Sequence, residues 1–160
     1  ESLGLLIRSQ KVSLNHLAQF REDVEGIVAA HAADKSTPGD IRKLKQLIDQ
    51  AQTCVEQGSS QRNAFIEIDK KIHMTLADIT GNPIYSSVLH SIHDNIHRYY
   101  DRFLSMEKRE LQENLQDLCD LIQAVESRNA DQAQKIAQNH VKRFNRYMKK
   151  RERAEKVPET

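Results

Sequence analysis

Residues 62–83 read RNAFIEIDKKIHMTLADITGNP, and this stretch decides the fold class of the chain. Phe65, Ile72 and Leu76 recur at the spacing of one face of an α-helix, and the alternation typical of a strand is missing. Gly81-Asn82-Pro83 then predicts the end of the helix, because glycine caps helices and proline cannot continue them.

The rest of the chain repeats this pattern in five more segments separated by short breaks. Ser13 precedes the first of them, Thr37-Pro38 is a typical helix start, and Gly58 predicts a helix end. Their apolar stripes run from Leu14 to His31, Ile41 to Ala51, Ile84 to Phe103, Leu111 to Val125 and Ala133 to Met148. The sequence therefore predicts an all-α antiparallel bundle of about six helices.

The composition argues against several other classes of protein. Aromatic residues make up 5% of the 160 residues, Trp is absent, and there are 5 Gly and 3 Pro. So few aromatic and helix-breaking residues argue against a β-sandwich, a β-barrel or a glycine-rich phosphate-binding fold. The 24 basic and 23 acidic residues leave a net charge of +1, whereas a nucleic-acid-binding domain normally carries a basic excess. We therefore do not expect this chain alone to bind DNA.

The cysteines and the apolar runs are those of a soluble intracellular protein. Cys54 and Cys119 are too few for a disulfide framework or a cysteine zinc site. No apolar run approaches the ~20 residues that span a bilayer, and no signal peptide opens the chain. We expect a cytoplasmic location and no membrane partner.

Polar residues interrupt the apolar stripes of two predicted helices. Asp69 and His73 lie one turn apart on the core side of their helix, so both can ligate one divalent ion. His140 lies in the middle of the stripe of the last helix. Helical bundles commonly build metal sites from residues on facing helices, which makes Asp69, His73 and His140 candidate ligands. A buried Asp–His hydrogen bond and a satisfied core histidine are the structural alternative.

Arg21 also lies on an apolar face, with Glu25 one turn further along the first predicted helix. A buried guanidinium must be paired, because an isolated buried charge is costly. The residues therefore favour an Arg21–Glu25 ion pair at the edge of the core. The functional alternative is a bidentate grip on a ligand carboxylate, which would make Arg21 an effector-binding residue.

The other histidines and the basic end of the chain give weaker signals. His93 and His97 have a spacing that could hold a metal, but they are offset from the main apolar face of their helix. That offset favours a solvated or interfacial role. The basic residues between Lys142 and Arg153 are typical of a solvated helix end, where cations interact favourably with the helix dipole.

Taken together, these features resemble the C-terminal effector-binding (FCD) domain of GntR-type, FadR-like transcription regulators. The resemblance extends from Leu14 to about Tyr147. The residues that carry it are Phe20-Arg21 with Val24-Glu25, Asp69 and His73 before Gly81-Asn82-Pro83, Ala124-Val125, and Asn139-His140-Val141. The resemblance implies a bundle that senses a small metabolite, usually a carboxylic acid, and that is not an enzyme.

Many members of that family hold a divalent metal ion with one Asp and three His, and the ion helps to bind the effector. By position, Asp69, His73 and His140 match three of these ligands, but Leu118 stands where the fourth would be. Three outcomes are open. The three ligands alone could bind Zn²⁺, Ni²⁺ or Mn²⁺; Asn114 could substitute weakly; or the pocket could bind its ligand without a metal. We favour the first.

The resemblance also implies a domain organisation. Residues 1–12 would end a linker from an N-terminal winged helix-turn-helix domain that this sequence lacks, residues 13–155 would form the ligand-binding bundle, and residues 156–160 would be a tail. Effector binding would change the arrangement of paired DNA-binding domains, through which alone the protein contacts DNA. A symmetric operator needs two readers, so a homodimer is expected.

Other classes of function make different demands on the sequence. A metal-dependent bundle enzyme of the di-iron type needs Glu-x-x-His repeats on paired helices, and this chain contains no Glu-x-x-His. A purely structural helical adaptor would need no inward-facing Asp, His and Arg. A metal-free ligand-binding or dimerisation module stays as the alternative.

Overall fold

The computed structural model describes residues 2–9, 11–100 and 107–155, and the side chains of all of these except 97–100 and 155. Seven α-helices and no strand occur in these ranges. The helices are α1 (Leu3–Arg8), α2 (Leu14–Lys35), α3 (Pro38–Gln57), α4 (Arg62–Ile79), α5 (Pro83–Tyr100), α6 (Lys108–Glu126) and α7 (Ala130–Glu155), with a 3-10 turn (Ser59–Gln61) before α4.

The all-α prediction is therefore confirmed, with one helix more than the six that the apolar pattern indicated. Phe103, where the fourth predicted stripe ends, and the predicted tail at 156–160 lie outside the described residues. Among the helices of the described ranges, none combines the length and the apolar character that crossing a membrane requires.

The helix boundaries follow from the capping residues that the sequence offers. Ser13 caps α2, where its side chain accepts a hydrogen bond from the backbone N–H of His16 at 3.2 Å. Thr37 and Asp40 form a reciprocal capping box at the start of α3. Gly58 ends α3 with a φ of 88°, a left-handed conformation that glycine adopts without strain. These boundaries agree with the predicted ones.

Helix α1 lies in the segment that the sequence predicted to be the end of a linker. Ser2 caps it, Ile7 is buried, and the helix packs along α5. Arg8 Nη1 donates a hydrogen bond to Asn95 Oδ1 of α5 at 3.0 Å. The helix has only six residues, too few to produce a recognisable apolar period, so the pattern did not predict it.

Helix α2 occupies the centre of the bundle. It packs along α7 and also contacts α4, α5 and α6, while α3 packs against α4 and α6. Fully buried side chains from these helices form one apolar core, among them Leu44, Phe65, Ile72, Leu89, Ile92, Leu111, Leu118 and Leu121. Polar side chains that α2, α4, α5 and α7 direct toward this core therefore meet inside the bundle.

Candidate metal centre

The structure brings Asp69, His73 and His140 together in the bundle. Asp69 and His73 lie one turn apart on α4, and α7 supplies His140. His140 Nε2 lies 3.2 Å from Asp69 Oδ1, and His73 Nε2 lies 3.6 Å from the same oxygen. The two imidazole rings stack with their centroids 5.3 Å apart. Both rings are buried, whereas the side chain of Asp69 is 21% exposed.

The spacing of these atoms fits a divalent metal ion. Four ligands about 2.0–2.1 Å from Zn²⁺ lie about 3.3–3.4 Å from one another in a tetrahedron. The distances from Asp69 Oδ1 to the two Nε2 atoms, 3.2 and 3.6 Å, lie on either side of this value. His73 Nε2 is also buried without a hydrogen-bond partner, which is costly for a polar atom and which a metal ion would relieve.

A second group of potential ligands adjoins the first and shares His73. His73 Nδ1 lies 2.8 Å from Glu25 Oε2, and His93 Nε2 lies 3.3 Å from Glu25 Oε1. The rings of His73 and His93 stack with their centroids 5.2 Å apart, so the three imidazoles form a column with His73 in the middle. By distance alone, Glu25, His73 and His93 could also hold a metal ion.

The solvated or interfacial role expected for His93 is wrong, because this residue is only 3% exposed. It follows Leu89 by four residues and precedes Ile96 by three, and both of these neighbours are buried. This spacing places His93 on the same helix face as Leu89 and Ile96 and was the sequence signal that indicated its burial. The stripe through Ile92 and Ile96 overlaps it and predicts a different buried face, which masks the position of His93. The side chain of His97 lies outside the described residues.

Arg21 and Glu25 form the ion pair that the buried-charge argument predicted. Arg21 Nε donates a hydrogen bond to Glu25 Oε1 at 2.7 Å, and Arg21 is 5% exposed. The guanidinium also lies over the ring of Phe144, 5.5 Å from its centroid. The fixed positive charge beside Glu25 opposes a cation in the group of Glu25, His73 and His93. The group that contains Asp69 is therefore the better metal site.

Beyond His140, Asp117 and Arg143 repeat this pairing of a carboxylate with a guanidinium. Arg143 donates from Nε to Asp117 Oδ2 at 2.8 Å and from Nη2 to Asp117 Oδ1 at 3.2 Å. Asp117 Oδ2 lies 3.5 Å from His140 Nδ1. Arg143 was expected at a solvated helix end and is instead ion-paired. No spacing in the sequence links Asp117 of α6 to Arg143 of α7, so this pair could not be predicted.

The carboxylates beside His73 and His140 favour protonation of these two rings, whereas burial lowers the pKa of His93 below its ordinary value. Burial disfavours charge on His73, but Glu25 and Asp69 outweigh burial and raise the pKa of His73 to about 10. Burial also opposes charge on His140, while the neighbouring carboxylates of Asp117 and Asp69 raise its pKa above the ordinary value. In the absence of a metal, His73 therefore carries a proton at neutral pH, and a metal ion must displace it.

The same contacts keep the buried carboxylates ionised. Burial alone would raise the pKa of Glu25, but Arg21 and His73 outweigh it and hold this pKa well below its usual range. Burial likewise opposes ionisation of Asp69, and the neighbouring His73 and His140 lower its pKa well below the ordinary value. Both carboxylates are therefore negative at neutral pH, as ligands of a cation must be.

We expect the metal-free protein to lose stability as the pH rises from about 7 to about 10. The pKa of His73 is raised from 6.5 to about 10 by folding. Its contribution to stability is complete below the unfolded-state pKa and is lost as the pH rises to the folded-state pKa, because only the folded state holds the proton between them. Urea unfolding in EDTA should therefore give a lower midpoint at about pH 9.5 than at about pH 7. A midpoint that stays constant or rises would contradict this assignment.

Leu118 and Asn114 lie one turn apart on α6. Leu118 is fully buried among the apolar side chains of the core and offers no ligand atom. Asn114 is also buried, and its Nδ2 donates a hydrogen bond to the backbone carbonyl of Glu110 at 2.7 Å. Only the amide oxygen of Asn114 could therefore act as a ligand.

Fold and site together define an all-helical domain with buried acid and imidazole groups at its centre. The FCD domain family matches residues 16–143, so the chain belongs to the FCD domains of GntR-family regulators. The family resemblance inferred from Arg21, Asp69, His73 and His140 is thus confirmed.

Two of its curated relatives are regulators. The chain is 29% identical over 135 residues to the Uxu operon regulator of Haemophilus influenzae, covering 78% of this chain and 47% of that protein. It is 27% identical over 128 residues to the HTH-type transcriptional repressor NanR of Cronobacter sakazakii, covering 79% of this chain and 47% of that protein. The chain spans about half the length of both relatives. These relatives are regulators and not enzymes, which agrees with the expectation from the sequence.

Two solved structures have the same fold. Escherichia coli McbR/YncC superimposes with a TM-score of 0.75 at 16% identity, over 86% of this chain and 64% of that one. Streptococcus agalactiae GntR superimposes with a TM-score of 0.70 at 22% identity, over 83% of this chain and 58% of that one. At these identities the likeness establishes the architecture of the bundle.

Proposed function

We propose that this chain is the effector-sensing domain of a transcription regulator, and that it binds a small carboxylate through a divalent metal ion held by Asp69, His73 and His140. The observation that carries the proposal is the approach of these three side chains, from two helices, to within 4.8 Å between ligand atoms. Zn²⁺, Ni²⁺ and Mn²⁺ are the candidate ions, because imidazole and carboxylate ligands suit them.

The charges around the site favour an anionic effector. Arg21 is paired with Glu25, and Arg143 with Asp117, so these four residues balance one another. A divalent ion held by one carboxylate and two neutral imidazoles would leave one net positive charge and at least one open coordination position. A carboxylate supplies both the negative charge and an oxygen ligand for that position.

Arg21 is the proposed second contact of the effector. A guanidinium can bind a carboxylate through two parallel hydrogen bonds. Its Nε already donates to Glu25, and the residue is 5% exposed. An effector would therefore have to approach Arg21 from inside the bundle and share the guanidinium with Glu25.

The regulatory step would be a change in the arrangement of two DNA-binding domains outside this chain. It requires that the effector bind one arrangement more tightly than the other. Residues 13–155 would be the sensing bundle, and residues 1–12, which include α1, would lead to the DNA-binding domain. A homodimer acting in the cytoplasm is part of the proposal, and Phe20 and Ile27, 42% and 40% exposed on α2, are apolar side chains available to a partner.

Metal titration tests the proposal. We expect Zn²⁺ to raise the unfolding temperature of chelator-treated protein. When the free ion is at 100 times its Kd, the free energy of unfolding should increase by about 2.7 kcal/mol. His140→Ala should abolish the rise, because two ligands bind the ion too weakly. His16→Ala, which removes an exposed histidine of α2, is the matched control and should preserve it.

Two results would count against the proposal. An unchanged rise in a folded His140→Ala variant would remove His140 from the site. Wild-type protein that binds none of Zn²⁺, Ni²⁺ and Mn²⁺ would contradict the metal-dependent function and favour the metal-free ligand-binding module. A thermal-shift panel of small carboxylates, with and without metal, then tests the effector class.

A further inference from the structure

We propose that Glu25 and Asp117 are positioning residues, which hold the imidazoles of His73 and His140 with Nδ1 as the hydrogen donor and Nε2 as the coordinating nitrogen. This inference rests on the proposed metal site. Neither carboxylate is placed as a metal ligand; each lies on the opposite edge of an imidazole from Asp69.

The arrangement at His73 sets the orientation of its ring. Nδ1 lies 2.8 Å from Glu25 Oε2, and Nε2 faces Asp69 Oδ1 at 3.6 Å. A neutral imidazole has one N–H and one lone pair. The negative charge of Glu25, 2.8 Å from Nδ1, favours the proton on that nitrogen and so leaves the lone pair of Nε2 for a metal. A carboxylate that accepts from the non-coordinating nitrogen also raises the basicity of the ligand.

Glu25 is itself held in place by groups from two helices. Arg21 Nε, on the same helix, donates to Oε1 at 2.7 Å, and His93 Nε2 of α5 lies 3.3 Å from the same oxygen. Oε2 is then left facing His73. The role that follows for His93 and Arg21 is to fix this carboxylate, since the guanidinium charge opposes a metal ion between Glu25 and His93.

The arrangement at His140 repeats the pattern on α6 and α7. Nε2 faces Asp69 Oδ1 at 3.2 Å, Nδ1 lies 3.5 Å from Asp117 Oδ2, and Arg143 holds Asp117 through two hydrogen bonds. Two series of contacts, each from guanidinium to carboxylate to imidazole, therefore end at Asp69 Oδ1. Because the contact of His140 with Asp117 is longer than that of His73 with Glu25, we expect Glu25 to have the larger effect.

The state of the imidazole nitrogens is measured directly by long-range ¹H–¹⁵N spectra of histidine-labelled protein. In the Zn²⁺-loaded wild type, Nδ1 of His73 and of His140 should carry the proton and Nε2 should show the shift of a coordinated nitrogen. In the metal-free protein, Nδ1 of His73 should be protonated whether the ring is charged or neutral. Coordination of Zn²⁺ through Nδ1, or a neutral His73 with its proton on Nε2, would overturn the proposal.

Two conservative variants test the positioning role through affinity. Glu25→Gln and Asp117→Asn keep the shape of the side chain but weaken the acceptor, and each should lower Zn²⁺ affinity by about 10- to 100-fold, with the larger loss for Glu25→Gln. Glu22→Gln is the matched control on α2. It removes an ion pair with Lys142 of α7 and should leave both the affinity and the histidine spectra unchanged.

The outcomes separate this inference from the proposed function. If the wild type binds no metal ion, the proposed function fails, while a metal-free spectrum recorded above about pH 10, where the ring of His73 is neutral, still decides which of its nitrogens carries the proton. If the wild type binds Zn²⁺ and folded Glu25→Gln and Asp117→Asn bind it equally well, the proposed function stands and the positioning role is overturned. If Glu25→Gln does not fold, Asp117→Asn and the wild-type spectra still decide the matter.

Discussion

Replacement of Glu25 by Leu should destabilise the metal-free protein by about 3–5 kcal/mol, a large part of the stability of an ordinary domain. Arg21 is 5% exposed and donates to Glu25 at 2.7 Å, so the variant would bury its guanidinium without the carboxylate. His73 and His93 would lose the carboxylate whose oxygens lie 2.8 and 3.3 Å from their ring nitrogens. Urea unfolding in EDTA at neutral pH measures the loss.

A surface pair with the same separation provides the control. Lys45 Nζ lies 2.7 Å from Glu126 Oε1, but these side chains are 55% and 45% exposed. Glu126→Leu should therefore cost less than about 1 kcal/mol. The double variant Arg21→Met, Glu25→Leu should recover much of the stability lost in Glu25→Leu, because removal of both charges leaves an apolar site. If Glu25→Leu and Glu126→Leu cost the same, burial of the Arg21–Glu25 pair is not what makes it important.

The sequence was a sufficient guide to most of the fold, because the relevant signals are local. Each long helix has a 3.6-residue apolar stripe and a capping or breaking residue within a few positions of its end. Ser13, Thr37 and Gly58 act at the positions where the pattern predicted boundaries. The sequence did not predict helix α1 because its six residues bury little more than Ile7. The helix is stabilised by packing against α5, which lies in a distant part of the chain.

The candidate site was only partly predictable, for a related reason. The sequence identifies Asp69 and His73 because they lie one turn apart on an apolar helix face. It identifies His140 because this residue interrupts the apolar face of another helix. Ion pairs between helices produce no such pattern in the sequence. Asp117 and Arg143 are 26 residues apart, and this spacing does not predict that they are in contact. Residues that contact one another through tertiary structure can be found from one sequence only by a resemblance or by the fold itself.

The departure at Leu118 is the feature of this site that only the resemblance could reveal. A buried leucine on α6 is ordinary in a bundle core, and nothing in its packing sets it apart. The resemblance predicts, however, that Leu118 stands where many members of the family have a fourth ligand, a histidine. The consequence for a three-ligand site follows from coordination chemistry, since fewer protein ligands give weaker binding and leave more positions for water or effector.

Leu118→His should therefore increase Zn²⁺ affinity by at least about tenfold, because it adds the fourth neutral ligand of a tetrahedral site. In EDTA the variant should be less stable than the wild type, since a buried imidazole without a partner costs about 1–3 kcal/mol, and Zn²⁺ should reverse that difference. Calorimetric titration and urea unfolding measure the two effects. Leu121→His is the matched control, because Leu121 is equally buried on α6 but stands at no ligand position. It should lose stability without gaining affinity. Equal Zn²⁺ affinities in Leu118→His, Leu121→His and the wild type would show that residue 118 does not face the metal site.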